Sequence, residues 1–340
     1  MNKRTVLFIF MIFFIFSLGA VYAQRGSARG DVVNIRLASP LPRSSDWGRA
    51  LDRLAADWEK GTQNQVRVIV SHDGREGSEG RMLSSLSSDA IQVAVFTSAG
   101  VAEICPAVMN LSIPFIIKNE AEFDLVLENM LPVLNSRVKS DYVVISWSKG
   151  GWVYIFSKEK VLTPDDLRKQ RLATSPDLKE MNTVFRVMGF QLVETDMAST
   201  GTKLASNAIN AVYIIPAVVA PMQLHKSLNH MLDLPIAPII GAIVMNRVTW
   251  NKLSPASQQE ILKATRKVAD EFDASVVKTE ANAISAMGRD GLSINKLTKA
   301  QQDLWSNEVK NNITSIVGPI FDRELYNQMN SILEKARSGK

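Results

Sequence analysis

Cysteine is nearly missing from the 340-residue chain, with Cys105 the only one. No internal disulfide can form, a thiolate metal site is excluded, and stability has to come from packing alone. Cys105 stands beside Pro106 in an apolar stretch and reads as a buried, inert thiol. Histidine is scarce as well. Of His72, His225 and His230, the last two are five apart, not the three or four that puts two ligands on one helical face. No metal and no cofactor is therefore assigned. A charge surplus is missing too: 39 Lys and Arg against 34 Asp and Glu leave +5. The basic residues are interleaved with acids, whereas phosphate binding needs them clustered, so a nucleic-acid partner is excluded.

Catalytic signatures are equally sparse. Ser98-Ala99-Gly100 and Ser199-Thr200-Gly201 lack the nucleophile-elbow pattern. No strand is followed by Gly-x-Gly-x-x-Gly. The run from Gly74 to Gly80 is rich in glycine but carries acids that repel phosphate, and it reads as a turn into the helix at Arg81. With no nucleophile and no acid–base constellation, the chain is expected not to be an enzyme. A hydrolase or lyase on the same scaffold is the competing class.

What is present begins with Lys3 and Arg4, an apolar run from Val6 to Phe16, and small residues ending at Val21-Tyr22-Ala23. A charged start, a greasy centre and a small-residue exit make residues 1–23 a secretory leader. Val6 to Ala23 is also just long enough to span a bilayer, so a retained anchor is the alternative. No cysteine stands at the end of the run, which excludes a lipid-modified N-terminus. Cleavage after Ala23 removes Lys3 and Arg4 and leaves a net charge of +3.

Beyond the leader, β-branched runs alternate with helical stretches, which argues for an α/β fold with mostly parallel sheets. Val32 to Leu37, Val66 to Val70 and Ile91 to Phe96 read as strands, and a helix follows from Asp46 with Trp47, Leu51, Leu54, Ala55 and Trp58 on one face. Asn119 with Glu122 opens a helix through Leu134, and Thr163-Pro164-Asp165-Asp166 opens another. Two strands, Tyr142 to Trp147 and Trp152 to Ser157, are separated by Lys149-Gly150-Gly151, a candidate hinge or domain crossing. From Ala256 to Met287 there is neither glycine nor proline. At 1.5 Å per residue that segment makes a helix of about 48 Å, more than one domain of about 150 residues comfortably covers. A single helix lying across two domains is expected; two helices with an unbroken joint are the alternative.

Several patches, in order, resemble the DctP family, the substrate-binding receptors of TRAP transporters. They are Leu111-Ser112-Ile113-Pro114-Phe115, Pro164-Asp165-Asp166-Leu167-Arg168, Met188 to Val193, Leu204 to Ala211, and Met245 to Ser254 just before the long helix. The resemblance implies a two-lobed, periplasmic-binding-protein-like (type II) fold with the ligand cleft between the lobes. It also implies an exported, periplasmic receptor that closes on a small molecule and presents it to TRAP membrane permease subunits. Some relatives partner with periplasmic TPR-repeat proteins, a further possible partner by analogy. A non-transport carrier or sensor using the same cleft is the alternative function. The lobes are placed at 31–150 with 239–255 and at 151–238 with 289–337, bridged by a helix over 256–288.

Where the family's acid-binding members carry one arginine, the aligned stretch Gln170 to Pro176 offers Ala173; where they carry a second, Gly151-Trp152-Val153 offers Val153. A polar corner of the family becomes Asn210 to Pro216, with Tyr213 and Ile214 at its centre. A carboxylate drawn into a dry cleft needs charge-assisted hydrogen bonds, which arginine supplies in parallel pairs. Arg171 sits two places before Ala173, but a solvated or interlobe charge is its simpler account. An apolar or amphipathic ligand is therefore expected, against Trp152, Val153, Ala173, Tyr213 and Ile214, with Phe96 and Phe115 as further apolar candidates and Thr97 and Ser175 as polar ones. Ordinary core packing is the alternative for each, and an organic-acid receptor with a rearranged carboxylate site is the alternative ligand class.

Overall fold

Alternation of buried and exposed residues marks the first strand, β1 (Val33–Ala38): Ile35 and Leu37 point into the protein while Asn34 and Arg36 face out. The computed structural model describes residues 32–339, so the leader expected at residues 1–23 lies outside the described residues. No described helix is long and apolar enough to cross a membrane. Helix α1 (Asp46–Gly61) carries the chain from β1 to the parallel strand β2 (Val66–Ser71), capped by Ser45, whose side chain accepts from the Gly48 amide. Its buried face is Leu51, Leu54 and Trp58, much as the spacing predicts; Trp47 is only half-buried, against Phe272. Helix α2 (Glu79–Ser87) then leads to β3 (Val93–Phe96) on the other side of β1.

The short helix α3 (Ser98–Ala102), a 3-10 segment at Pro106–Ser112 and helix α4 (Glu120–Ser136) follow. The two strands expected on either side of Lys149-Gly150-Gly151 are one: β4 runs unbroken from Tyr142 to Ser157. The glycines produce a bulge instead of a gap. The register against the neighbouring strand slips between Lys149 and Gly151, and Gly151 takes a φ of +90°, which a residue with a Cβ rarely adopts.

Three further α/β units use α5 (Pro164–Arg168), β5 (Arg171–Thr174), α6 (Lys179–Val187), β6 (Gln191–Glu194), α7 (Thr200–Ala205), β7 (Ala211–Ile214) and α8 (Pro216–Val219). Helix α5 starts where the sequence predicts, with Pro164 in its first turn, and Thr163 and Asp166 close a full capping box on it. After β8 (His230–Leu232), strand β9 (Ala237–Asn246) returns alongside β4, and α9 (Arg247–Lys252) leads into α10 (Pro255–Arg289). The chain ends with β10 (Ser293–Asn295), α11 (Lys299–Ile316) and α12 (Arg323–Arg337).

The strand order is β2-β1-β3-β9-β4-β7-β5-β6, with β8 beside β4 and β10 beside β8. The sheet is mixed, not mostly parallel. The α/β units are parallel within each half, but β4 and β9 run antiparallel over ten paired positions through the middle. The reason is connectivity: one strand carries the chain out of the first half and the other brings it back.

Helix α10 is a single helix of 35 residues, about 52 Å long. Its first half buries Ile261, Thr265 and Val268 against α1, where the Trp58 indole donates to Thr265 Oγ1 at 3.0 Å. Farther along, Asp273 accepts from the Lys149 amide, and Glu280 accepts from the Trp152 amide and the Tyr154 hydroxyl, so the helix lies across the middle of β4. Helix α12, placed by chain order with residues 151–238, packs elsewhere. Arg337 forks onto Glu122 of α4, and Asn110 of the 3-10 segment bonds the backbone at Asp322 on both sides.

Candidate functional site

Strands β5 and β7 are parallel and end at Thr174 and Ile214; across the sheet's middle, β3 ends at Phe96. Crevices beyond the carboxyl ends of parallel strands are where α/β sheets bind ligands, because side chains from several loops converge there. A cavity of about 260 Å³ occupies this position. That is small beside the 300–1,000 Å³ of drug-sized sites and suits a compact guest.

Of the nine residues singled out by sequence, Thr97, Val153, Ala173, Ser175, Tyr213 and Ile214 line this cavity. Trp152, Phe96 and Phe115 do not. Trp152 is turned away by strand alternation: its indole donates to Glu120 Oε2 and its ring packs edge-on against Phe123. Phe96 is 1% exposed within the core, against Gly100. Phe115 holds a left-handed φ of +61°, bonds its amide to the Ile236 carbonyl and packs on Trp305. Trp152 and Phe96 are core residues in the structure, and Phe115 is half-buried against the core.

The apolar walls come from β4, β7, β9 and α8, with Val153, Val212, Ile215, Val218 and Ile239 beside Ala173. No Arg, Lys or His lines the cavity among the described residues. Arg171, the nearest candidate by sequence, sends its guanidinium to the Asn207 carbonyl. Lys203 is a layer behind the wall, bonded to the Thr195 hydroxyl and the Glu194 carbonyl.

Two acids do line it. Glu79, in the first turn of α2, accepts from the Thr97 and Gly100 amides at the start of α3, the latter at 2.7 Å. The fit is close enough to require glycine: a Cβ on Gly100 would stand 2.3 Å from Glu79 Oε2. Glu79 is half-buried as a residue, yet its carboxyl group lies deep among protein atoms. Burial pushes its pKa up to about 7 against the pull of the Thr97 and Gly100 bonds, and Asp177 adds to the rise. Asp177 belongs to the turn between β5 and α6; among the described residues no hydrogen bond or ion pair reaches its carboxylate. The Thr174 hydroxyl is buried without a partner, and burial raises the pKa of the Tyr213 hydroxyl, which is likewise unpaired among the described residues.

Sequence reasoning missed Glu79 and Asp177. The signal for Glu79 was on hand in the acids of the Gly74–Gly80 stretch, but only the fold brings that turn to Thr97.

A profile of the bacterial extracellular solute-binding proteins, family 7 (DctP), matches residues 37–317, most of the chain. The chain belongs to the DctP family. A solute-binding protein of Verminephrobacter eiseniae is 24% identical over 270 residues, covering 76% of this chain and 78% of the relative. Among solved structures, a TRAP periplasmic solute-binding protein of Ralstonia eutropha, with bound (S)-2-acetolactate, matches with a TM-score of 0.81 at 17% identity, over 89% of this chain and 99% of that one. Another, from Chromohalobacter salexigens with bound D-glucuronate, matches with a TM-score of 0.78 at 19% identity, over 88% and 99%. At such identities the structural likeness fixes the two-lobed DctP fold. The protein is thus a TRAP-type solute receptor by family.

Proposed function

We propose that this DctP protein is a periplasmic TRAP receptor whose interlobe cavity takes a small, apolar or amphipathic molecule and hands it to a membrane permease. The observation that carries the proposal is the cavity lining, which has branched aliphatic side chains and two carboxyl groups but no cation. Ala173 and Val153, which the family resemblance aligns with acid-binding arginines, both line it. The amides of Thr97 and Gly100, donors of the kind that hold an acid, are taken by Glu79.

Magnitudes favour the apolar guest. Burying about 300 Å² of apolar ligand surface contributes about 7 kcal/mol before binding costs, at about 25 cal/mol per Å². An organic acid placed about 6 Å from Asp177 meets about 3 kcal/mol of repulsion at an effective dielectric of about 20, with no arginine to offset it. The relatives holding glucuronate and acetolactate therefore share the scaffold and differ in the guest.

In this account the lobes divide within β4 and β9. Residues up to about Lys149 form the first lobe together with the second half of β9 and, by its packing, α12. The Gly151 bulge marks the crossing, and contacts made from both sides in the closed state supply the population shift. The leader at residues 1–23 would export the chain. Thermal-shift titration with D-glucuronate and (S)-2-acetolactate tests the ligand class, alongside native mass spectrometry of gently extracted protein. The expected result is no shift from either acid and a co-purified amphipathic or apolar species. A shift of several degrees by an acid, or a co-purified sugar acid, would overturn it.

A further inference from the structure

The two acids reach the cavity from opposite sides of the sheet's middle: Glu79 from α2 beside β3, Asp177 from the turn after β5. They sense one another, since Asp177 contributes to the raised pKa of Glu79. A protein that brings two carboxyl groups toward one small apolar cavity has no basic side chain on its wall; the nearby cations, Lys203 behind Thr195 and Lys179 paired with Glu103, are bonded elsewhere. Two unpaired hydroxyls border the same space. Thr174 is 2% exposed and its Oγ1 has no partner among the described residues, an orphan that a bound guest would complete. Tyr213 brings the second. Of the other hydroxyls on the wall, Thr200 donates to the Asp196 carbonyl and Thr195 to the Val193 carbonyl, while Ser175 Oγ accepts from the Asp177 amide and Thr97 Oγ1 from the Ala99 amide.

From this arrangement, and resting on the apolar-cavity proposal above, we infer that the guest is a small organic cation, a protonated amine on an apolar body. Its ammonium lies between Asp177 and Glu79, with Thr174 Oγ1 accepting a further hydrogen bond, and its hydrocarbon part rests on Val153, Ile239 and the β7–α8 corner. An ammonium offers donors only, which matches a site with an unpaired Asp177 carboxylate, remaining lone pairs on the amide-bonded Glu79 carboxyl and two hydroxyls able to accept. A bare metal ion fits worse, because no group of three or more metal-ligating side chains forms among the described residues. The same geometry gives a reason to close. Without ligand the two carboxyls repel each other across the cleft; a cation between them turns that repulsion into attraction from both sides.

The test is a thermal-shift and calorimetric comparison of the purified full-length receptor with matched series: n-alkylamines, n-alkanols and n-alkanoates of four to eight carbons, at pH 7.5. The amine is expected to bind at least ten-fold more tightly than the alcohol of equal length, with no binding of the alkanoates. Asp177→Asn, at a half-buried turn position, should remove that ten-fold preference of amine over alcohol, and Thr174→Val should weaken the amine several-fold. Alcohols equal to or better than amines at every length would overturn the cation inference and leave the apolar-guest proposal standing. Alkanoates binding best, or no series binding at all, would overturn both.

Discussion

Glu79 offers a direct way to measure the electrostatics of the cavity without knowing the ligand. Its pKa rises from an ordinary 4.5 to about 7, chiefly because burial disfavours the charge. Between those values the folded protein holds a proton that the unfolded chain has released. The slope of unfolding free energy with pH is set by protons bound in the unfolded state minus those bound in the native state, and here that difference is negative. Stability from this group is therefore fully retained below about pH 4.5 and falls as pH rises to about 7, with a ceiling of about 3 kcal/mol. Glu79 is only half-buried as a residue, so about 1–3 kcal/mol is the working range.

The perturbation is Glu79→Gln, which removes the titration and keeps the size. The new amide keeps one accepting oxygen and turns its NH2 toward a backbone amide of the Thr97–Gly100 turn, a fixed cost that does not change with pH, so the slope and not the offset is the readout. Urea unfolding followed by tryptophan fluorescence, at intervals from pH 5 to 8.5, gives the difference between variant and parent. Titrations shared by both proteins, including those of Asp273 and Glu280, cancel in that difference. The variant is expected to gain about 1–3 kcal/mol relative to the parent across the range. A difference constant to within about 0.5 kcal/mol, or one that falls with pH, would refute the buried-carboxyl account of the cavity.

Other consequences can be measured with the same unfolding assay. Gly151→Ala puts a Cβ at a φ of +90° and 3.0 Å from Glu280 Oε2, and should cost about 1–2 kcal/mol, a few degrees in Tm. Lys149→Met leaves Glu120 and Asp124 facing each other without the cation that now holds them. Burial alone would lower the Lys149 pKa, yet the bonds to Asp124 and Glu120 raise it, and about 1–3 kcal/mol should be lost. Glu103→Gln breaks the exposed pair with Lys179 and should change stability by less than about 1 kcal/mol, with the residual effect vanishing in high salt.

How much the sequence disclosed depended on how local the cause was. Helix ends were legible because a cap is a contact between near neighbours, as at Thr163 with Asp166 and at Asn119 with Glu122. The long helix was legible because nothing between Ala256 and Met287 interrupts it. Position 173 and its neighbours Ser175, Tyr213 and Ile214 came out on the cavity because the family resemblance carries registers that a lone sequence does not. Trp152 was misplaced by one step of strand alternation, enough to send its indole to Glu120 on the other face. Asp177 and Glu79 escaped notice for a different reason. They are about a hundred residues apart, and no periodicity announces that two turns will face one cavity. The antiparallel centre of the sheet was hidden likewise, since alternating strands and helices say nothing about a strand that leaves one lobe and returns to it.

On the proposed reading, the ligand cavity and the crossing between lobes are not separate devices. In β4, Val153 lines the cavity while the Trp152 amide and Tyr154 hydroxyl, one step either side, bond Glu280 of the long helix. In β9, Ile239 lines the cavity and pairs in register with Gly151, and Gly150 is packed so tightly against it that a Cβ there would stand 2.6 Å from Ile239 Cγ2. A guest pressing on Val153 and Ile239 therefore touches both crossing strands at the bulge where they are least regular. Any bend there moves the Trp152 amide relative to Glu280, whose carboxyl burial has already made costly to leave without donors. Rigid packing along α10 would resist small motions and favour two arrangements over a continuum, because close-packed contacts are kept or exchanged and seldom stretched. The proposed coupling of ligand to closure thus needs no relay of residues: the cavity wall and the proposed hinge are the same few residues of two strands.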